Sequence, residues 1–195
     1  MYQFEHRRPL ELIAYPEPIP DDRTGTPLSQ GVILTLINTV AAEYCSPETR
    51  NMLNKVEPNT WYHGQELESV LNEFEDQDPD LPEEVGKNIY YMLRKEFEMF
   101  GIKTPSDIIM TLPIVWKHVT RGDSGEWRPT LLGPGKARVE MEVPYNCQFE
   151  QGAVQGALEC FDAIHVQIDH TQCMRKGAPF CVLEITWEEE KELGV

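Results

Sequence analysis

Basic side chains are scarce in this sequence. Lysine and arginine number 17 against 33 aspartates and glutamates, and the formal net charge is −16. A surface this acidic repels nucleic-acid phosphates and anionic membranes, and no basic stripe offsets it. We interpret the acidity as solvated surface that keeps the protein soluble, with a basic protein partner as the alternative.

Long apolar runs and targeting signals are also missing. No apolar run reaches the roughly 18 residues of a membrane-spanning helix. The opening stretch MYQFEHRRPLELIAYPEP is charged and broken by proline, unlike a secretory signal. We therefore expect a cytoplasmic protein. In a reducing compartment, the 5 cysteines indicate metal binding or buried thiols rather than a disulfide framework.

Recognisable catalytic motifs are absent as well. The sequence contains no phosphate-binding loop, dinucleotide fingerprint or serine-centred elbow. A nucleophilic pair of His170 and Cys173 lacks an evident third group to orient it. The acidic run EFEDQDPD lacks the spacing of a calcium loop and is interpreted as a solvated face. These absences favour a non-enzymatic protein.

Proline spacing divides the chain into three parts. Residues 1–28 are expected to form an extended, proline-rich arm, because their 5 prolines exclude a long helix. Residues 29–188 are expected to form a single domain, and 189–195 an acidic tail. The arm either lies on its own domain or embraces a second subunit, and a homodimer is the simplest assembly.

Apolar periodicity predicts helices before Gly122 and mainly strands after it. Two hairpins with a helix between them follow Gly122, so we predict an α+β fold with helices packed on an antiparallel sheet. Gly152 and Gly156, in the intervening helix, are expected to let it approach a sheet closely. Five segments before Gly122 are predicted to be helical: SQGVILTLINTVAAEYC with Ser29 as N-cap, SPETRNML, TWYHGQELESVLNEFEDQDPD, LPEEVGKNIYYMLRKEFEMFG and TPSDIIMTLPIVWKHVTRG. In the fourth segment the apolar residues on one face are Val85, Ile89, Met92, Leu93, Phe97 and Phe100.

Four side chains have spacing suited to a metal. The pattern is Cys147-x22-His170-x2-Cys173-x7-Cys181, and thiolates with an imidazole suit tetrahedral Zn²⁺. The gap after Cys147 holds one helix and one strand, a path that returns to the same end of the sheet. The alternative is that Cys147 and Cys181 are small buried apolar residues and His170 is an exposed loop residue.

The segments CQFEQGAVQGALECFDA and HVQIDHTQCMRKGAPFCVLEITW resemble the 4-vinyl-reductase domain family. That small-molecule-binding fold is shared with haem nitric-oxide sensors and with TRAPP tethering subunits. In related aromatic-responsive regulators a zinc is held by Cys, Glu, Cys and Cys. The resemblance implies ligands at Cys147, Cys173 and Cys181, with His170 in place of the Glu. Four protein ligands leave no open position, so the zinc would be structural.

The resemblance implies a sensor or carrier of a small apolar molecule that acts through a protein partner. Its alternatives are a scaffold like the tethering subunits and an accessory protein of tetrapyrrole metabolism. Trp116, Trp127 and Phe100 are candidates to line a pocket, or else are ordinary core aromatics. His118 is the only histidine in a mostly apolar helix, and the companion motif that holds haem propionates is absent. The ligand itself is not predicted.

Overall fold

A computed structural model describes residues 2–189. The predicted acidic tail, 189–195, lies almost wholly outside the described residues. None of the helices within residues 2–189 is long and apolar enough to cross a membrane.

Helices occupy the first two thirds of the described chain, and strands dominate the last third. The helices are α1 (Gly31–Ala41), α2 (Pro47–Leu53), α3 (Gly64–Gln77), α4 (Leu81–Met92), α5 (Arg94–Met99), α6 (Pro105–Val119) and α7 (Cys147–Cys160). The strands are β1 (Leu28–Gln30), β2 (Trp61–His63), β3 (Thr120–Arg121), β4 (Glu126–Gly133), β5 (Lys136–Glu142), β6 (Ala163–Gln172) and β7 (Cys181–Glu189).

The main sheet confirms the predicted α+β architecture. It is antiparallel with the order β4-β5-β7-β6, so it consists of two hairpins, and α7 connects them. The alternation in β5 buries Ala137, Val139 and Met141 completely. The helices cover this apolar face, as a half-buried antiparallel sheet requires.

A second, three-stranded sheet was not predicted. Its order is β2-β1-β3, and it corrects two helix boundaries. Ser29 lies in β1 rather than capping α1, whose N-cap is Gln30. Residues Trp61–His63 form β2 because they pair with β1, and α3 begins only at Gly64. Tertiary pairing overrides the local helical pattern here.

The helix predicted over residues 81–100 is interrupted at Leu93. The structure has α4 and α5 there, joined at a residue with φ −101° and ψ 1°. After the break, Phe97 stacks on Tyr90 with ring centroids 5.7 Å apart, whereas Phe100 is 82% exposed. Met92 is also exposed, so the prediction that it and Phe100 face inward is wrong.

The small residues of α7 face a helix rather than the sheet. A Cβ built at Gly152 would lie 1.9 Å from the carbonyl oxygen of Glu83, and one at Gly156 would lie 2.1 Å from that of Lys87. Both carbonyls belong to α4. The prediction of a close approach was right, but the partner is α4.

The arm lies on its own domain, in the first of the two arrangements considered for it. Residues 2–27 contain no helix or strand beyond a single bridge between Tyr15 and Trp61. The arm runs along α3 and is held there by ion pairs. Arg8 contacts Glu66 at 2.8 Å, and Arg7 contacts Glu73 at 3.1 Å.

Candidate metal centre

Three separate segments bring the four predicted ligands together. Cys147 is the first residue of α7, His170 lies near the end of β6, Cys173 follows that strand, and Cys181 opens β7. One ligand atom from each lies within 4.8 Å of all the others. The cluster therefore joins the start of α7 to the hairpin formed by β6 and β7.

Local hydrogen bonds shape the loop that returns the chain from Cys173 to Cys181. The amides of Lys176 and Ala178 both donate to the carbonyl oxygen of Cys173. Gly177 adopts φ 92°, a left-handed conformation that favours glycine. The Met174 amide donates to Cys181 Sγ at 3.3 Å. This tight turn aims both thiols toward the same point.

The spacing of the ligand atoms fits a tetrahedral zinc. Bonds of about 2.3 Å from zinc to sulfur put two tetrahedral sulfur atoms about 3.8 Å apart. The Sγ atoms of Cys147 and Cys173 are 3.6 Å apart. The Nε2 atom of His170 is buried and has no hydrogen-bond partner. A buried polar atom without a partner is costly, and a bound metal would provide one.

The electrostatics of the cluster disfavour three thiolates without a cation. The hydrogen bond to Cys181 and burial raise the pKa of Cys147, and burial also raises the pKa of Cys173. The same hydrogen bond from Cys147 lowers the pKa of Cys181. Burial lowers the pKa of His170, which keeps the imidazole neutral and able to bind metal. A divalent cation would offset the charge of further thiolates.

The other cysteines and histidines lie outside this cluster. Cys160, the last residue of α7, donates to the carbonyl oxygen of Tyr90, and Cys45, in the loop before α2, donates to that of Ala41, so both are buried, packed thiols. His165 is exposed and has φ 51°, at a point where the pairing of β6 with β7 is irregular. His170 is half-buried in a strand rather than in an exposed loop. That placement argues against the alternative of unrelated buried thiols.

A polar network beside the cluster was missed at the sequence level. Arg175, two residues after Cys173, donates to Glu68 and Asn72 at 2.7 Å and to Glu75 at 2.6 Å. All three lie on α3, but only Glu75 falls within the run EFEDQDPD that is interpreted as a solvated face. Glu68 and Asn72 precede that run and are buried. The only signal in the sequence is the clustering of acids opposite scattered arginines.

The interface between α6 and β4 is filled by aromatic rings. Trp116 and Trp127 are buried with centroids 6.0 Å apart, and Tyr145 meets Trp116 edge-on at 5.5 Å. Phe100, the third predicted pocket residue, points to solvent and does not join them. Trp127 Nε1 is buried without a hydrogen-bond partner. Two open grooves of about 380 and 320 Å³ lie beside the arm.

Comparison with known proteins identifies the fold. No family model matches the chain, and neither does any curated protein sequence. An H-NOX protein from S. oneidensis in the Fe(II)NO ligation state has a similar structure, with a TM-score of 0.67 and 18% identity over 82% of this chain and 99% of that one. The Fe(II) unliganded H-NOX protein from K. algicida has a TM-score of 0.61 and 11% identity, over 85% of this chain and 100% of that one. The chain therefore has an H-NOX-like fold, and the 4-vinyl-reductase resemblance stays a prediction.

A similar structure, with a TM-score of 0.58 and 9% identity over 81% of this chain and 96% of that one, comes from work on heme redox potential and porphyrin distortion. The histidines of this chain are not placed to serve as a haem ligand in the interior. Of the 5 histidines, His6, His118 and His165 are exposed, His63 contacts the arm, and His170 belongs to the cysteine cluster. None faces the aromatic interface between α6 and β4, which the rings already fill.

Proposed function

We propose that this chain is a zinc-stabilised, non-enzymatic domain that takes up a small apolar molecule and passes its occupancy to a protein partner. The observation that carries the zinc part is the convergence of Cys147, His170, Cys173 and Cys181 within 4.8 Å. The H-NOX-like fold supports the small-molecule part, since the S. oneidensis relative is described with a bound diatomic ligand.

Zinc in this site is structural. Four protein ligands complete a tetrahedron and leave no position for water or substrate. The metal would fasten the start of α7 to the hairpin of β6 and β7. Because structural zinc contributes on the order of 10 kcal/mol to folding in small peptides, the metal would be a large part of the stability of this region.

The zinc proposal is tested by elemental analysis of protein purified without chelator. We expect about one zinc per chain, as a closed four-ligand site takes a single ion. Cys173→Ser and His170→Ala should each lower zinc affinity by about tenfold or more. His170→Glu should keep the metal, because a carboxylate is also a zinc ligand.

Cys160→Ser is the matched control for this experiment. Cys160 is buried like the ligands but donates to the Tyr90 carbonyl, away from the cluster. The variant should retain the zinc of the wild type. Wild-type protein with zinc well below stoichiometry, or zinc loss equal in all four variants, would contradict the proposal.

A scaffold is the second candidate function. The rings of Trp116, Trp127 and Tyr145 fill the interior where a ligand would lie, and this observation favours it. Large apolar side chains are also exposed on the helical side, among them Met99, Phe100 and Ile114. Exposed apolar side chains of this size suit protein contacts. Whether the aromatic interface opens to a ligand distinguishes the two functions.

A further inference from the structure

A row of polar contacts attaches the arm to α3. Three arm amides donate to α3 side chains: Glu5 to Gln65, Arg8 to Ser69, and Glu11 to Glu66, at 2.8, 3.3 and 3.1 Å. The guanidinium groups of Arg7 and Arg8 pair with Glu73 and Glu66 on the same helix. Both carboxylates are buried, so these ion pairs are shielded from solvent more than surface pairs.

The metal cluster reaches α3 from two directions. Arg175, in the loop after Cys173, donates to Glu68, Glu75 and Asn72. Asn146, the N-cap of the helix that begins with Cys147, donates to Asn72 at 3.1 Å and to Glu75 at 2.9 Å. Each of the two segments that a metal would join therefore supplies a donor to α3.

Asn72 contacts the metal segments and the arm at the same time. Its Oδ1 accepts from Arg175 and Asn146, and its Nδ2 donates to the carbonyl oxygen of His6 in the arm at 2.7 Å. Asn72 is fully buried. Two donors on Oδ1 fix the orientation of the amide, and that orientation aims Nδ2 at the arm. The side chain is a direct link between the two regions.

We infer that the metal centre controls the attachment of the arm, so that residues 2–12 are a metal-dependent strap over the acidic face of α3. The inference rests on the proposed zinc. Without the metal, the start of α7 and the loop after Cys173 are no longer held together, and Arg175 and Asn146 lose their fixed positions. Asn72 then loses the two donors that fix its Oδ1, which weakens its contact with His6, and the buried Glu68 loses its partner Arg175.

Release of the strap exposes a strongly acidic surface. With the strap in place, Glu66 pairs with Arg8, Glu73 pairs with Arg7, and Asp76 pairs with His6. Once uncovered, these carboxylates would lack their cationic partners. Because the arm supplies those partners, the strap is expected to return when the metal does. The metal centre thereby sets whether this face of the protein is open.

Amide hydrogen exchange on the full chain tests the strap. The zinc-loaded protein is compared with protein treated with a chelator, and exchange is followed in the fragment covering residues 2–12. We expect exchange there to accelerate about tenfold on zinc removal, because the three amide contacts to α3 weaken. Exchange in β5 is the internal control for global unfolding, and it should change by less than about twofold.

Two variants separate the coupling from the metal itself. Arg175→Gln and Glu75→Ala leave the four ligands intact, and each removes part of the link to α3. Both should retain zinc and still exchange about fivefold faster in residues 2–12. Arg138→Gln is the matched control, because Arg138 pairs with Glu184 on the main sheet at 2.6 Å. It should exchange like the wild type.

The outcomes distinguish the two proposals. If the wild type binds no zinc, both the strap and the proposed function are wrong. If zinc is bound but residues 2–12 exchange unchanged after chelation and in both variants, the strap alone is wrong. Acceleration confined to residues 2–12 in the zinc-loaded variants confirms that the link runs through Arg175 and Glu75.

Discussion

Glu150 is a carboxyl group in the first turn of α7 that has no direct partner for one of its oxygens. Its Oε1 atom is buried without a hydrogen bond, and only 3% of the residue is exposed. Burial, together with the charges of Glu68 and Cys147, raises the pKa of Glu150 to about 8. A buried acid with so few partners holds its proton at neutral pH.

This raised pKa predicts a loss of stability as pH increases. The unfolded chain loses the proton near pH 4.3, roughly, whereas the folded protein keeps it up to about pH 8. The stability that protonated Glu150 contributes is therefore complete below about pH 4. It falls progressively between the two pH values and is gone above about pH 8. Glu150→Gln removes the penalty. We expect the variant to gain about 2 kcal/mol at pH 8 and little at pH 5, measured by thermal unfolding.

Glu159, on the same helix, is the control. Its carboxylate pairs with Lys87 at 2.8 Å, so Glu159→Gln should destabilise the protein slightly at both pH values. Zinc content is measured in every sample, since Glu150 lies one turn from Cys147. An equal effect of Glu150→Gln at pH 5 and pH 8 would mean that the carboxyl is not protonated in the folded state.

The four candidate ligands could be identified by spacing, whereas the surrounding charges could not. Thiols and an imidazole are rare enough that their positions alone indicate a metal. Carboxylates are common on solvated faces, so Glu68 and Glu73 carry no such signal. Their burial depends on Arg7 and Arg175, which lie far away in sequence. Only the tertiary structure brings these charges together.

At the scale of elements, the contact between α4 and α7 dominates the packing beside the metal cluster. Gly86 on α4 and Gly152 and Gly156 on α7 let the two backbones approach so closely that an added Cβ would meet a carbonyl oxygen at 1.9–2.1 Å. Only glycine, which has no Cβ, fits at these three positions. The helices must move apart if any of these glycines is replaced.

Gly156→Ala should therefore destabilise the protein despite the higher helix propensity of alanine. Propensity favours alanine by about 1 kcal/mol, but overpacking against a backbone carbonyl costs up to about 3 kcal/mol. We expect a net loss of about 2 kcal/mol in chemical denaturation. Gln151→Ala, on the same helix at a half-buried position, should change stability by less than about 0.5 kcal/mol. A Gly156→Ala variant as stable as the wild type would show that α4 and α7 are farther apart.

The elements divide into those with a strong local pattern and those without one. Both hairpins of the main sheet were predicted, because β5 alternates and Gly133-Pro134-Gly135 marks a turn. The strand β2 was missed because Trp61–His63 is short and precedes a helix without a break. The interruption at Leu93 was missed because apolar spacing continues through it. Both depend on partners far along the chain, such as β1 for the strand and Phe161 for Phe97.

At the scale of the whole molecule, the chain combines an H-NOX-like fold with an aromatic interior between α6 and the main sheet. Trp116 from α6, Trp127 from β4 and Tyr145 meet where the helices cover the main sheet. Buried aromatic rings contribute strongly to stability, so they are expected to be displaced only by a ligand that repays their packing. Trp127 Nε1 is a donor that such a ligand or a water could satisfy.

Thermal unfolding with toluene as an apolar probe separates a small-molecule-binding domain from a scaffold. A ligand that binds only the folded protein raises the melting temperature, because it raises the free energy of unfolding by about 2.7 kcal/mol at one hundred times its Kd. We expect stabilisation of the wild type that grows with toluene concentration, and tighter binding to Trp127→Phe, whose smaller ring leaves space in the interface. Trp61→Phe, on the small sheet, should bind like the wild type.

If only Trp127→Phe is stabilised, the space is an artificial cavity and the native interior is closed, which favours the scaffold. Saturable binding by the wild type that Trp127→Phe strengthens and Trp61→Phe leaves alone places the ligand between α6 and the main sheet.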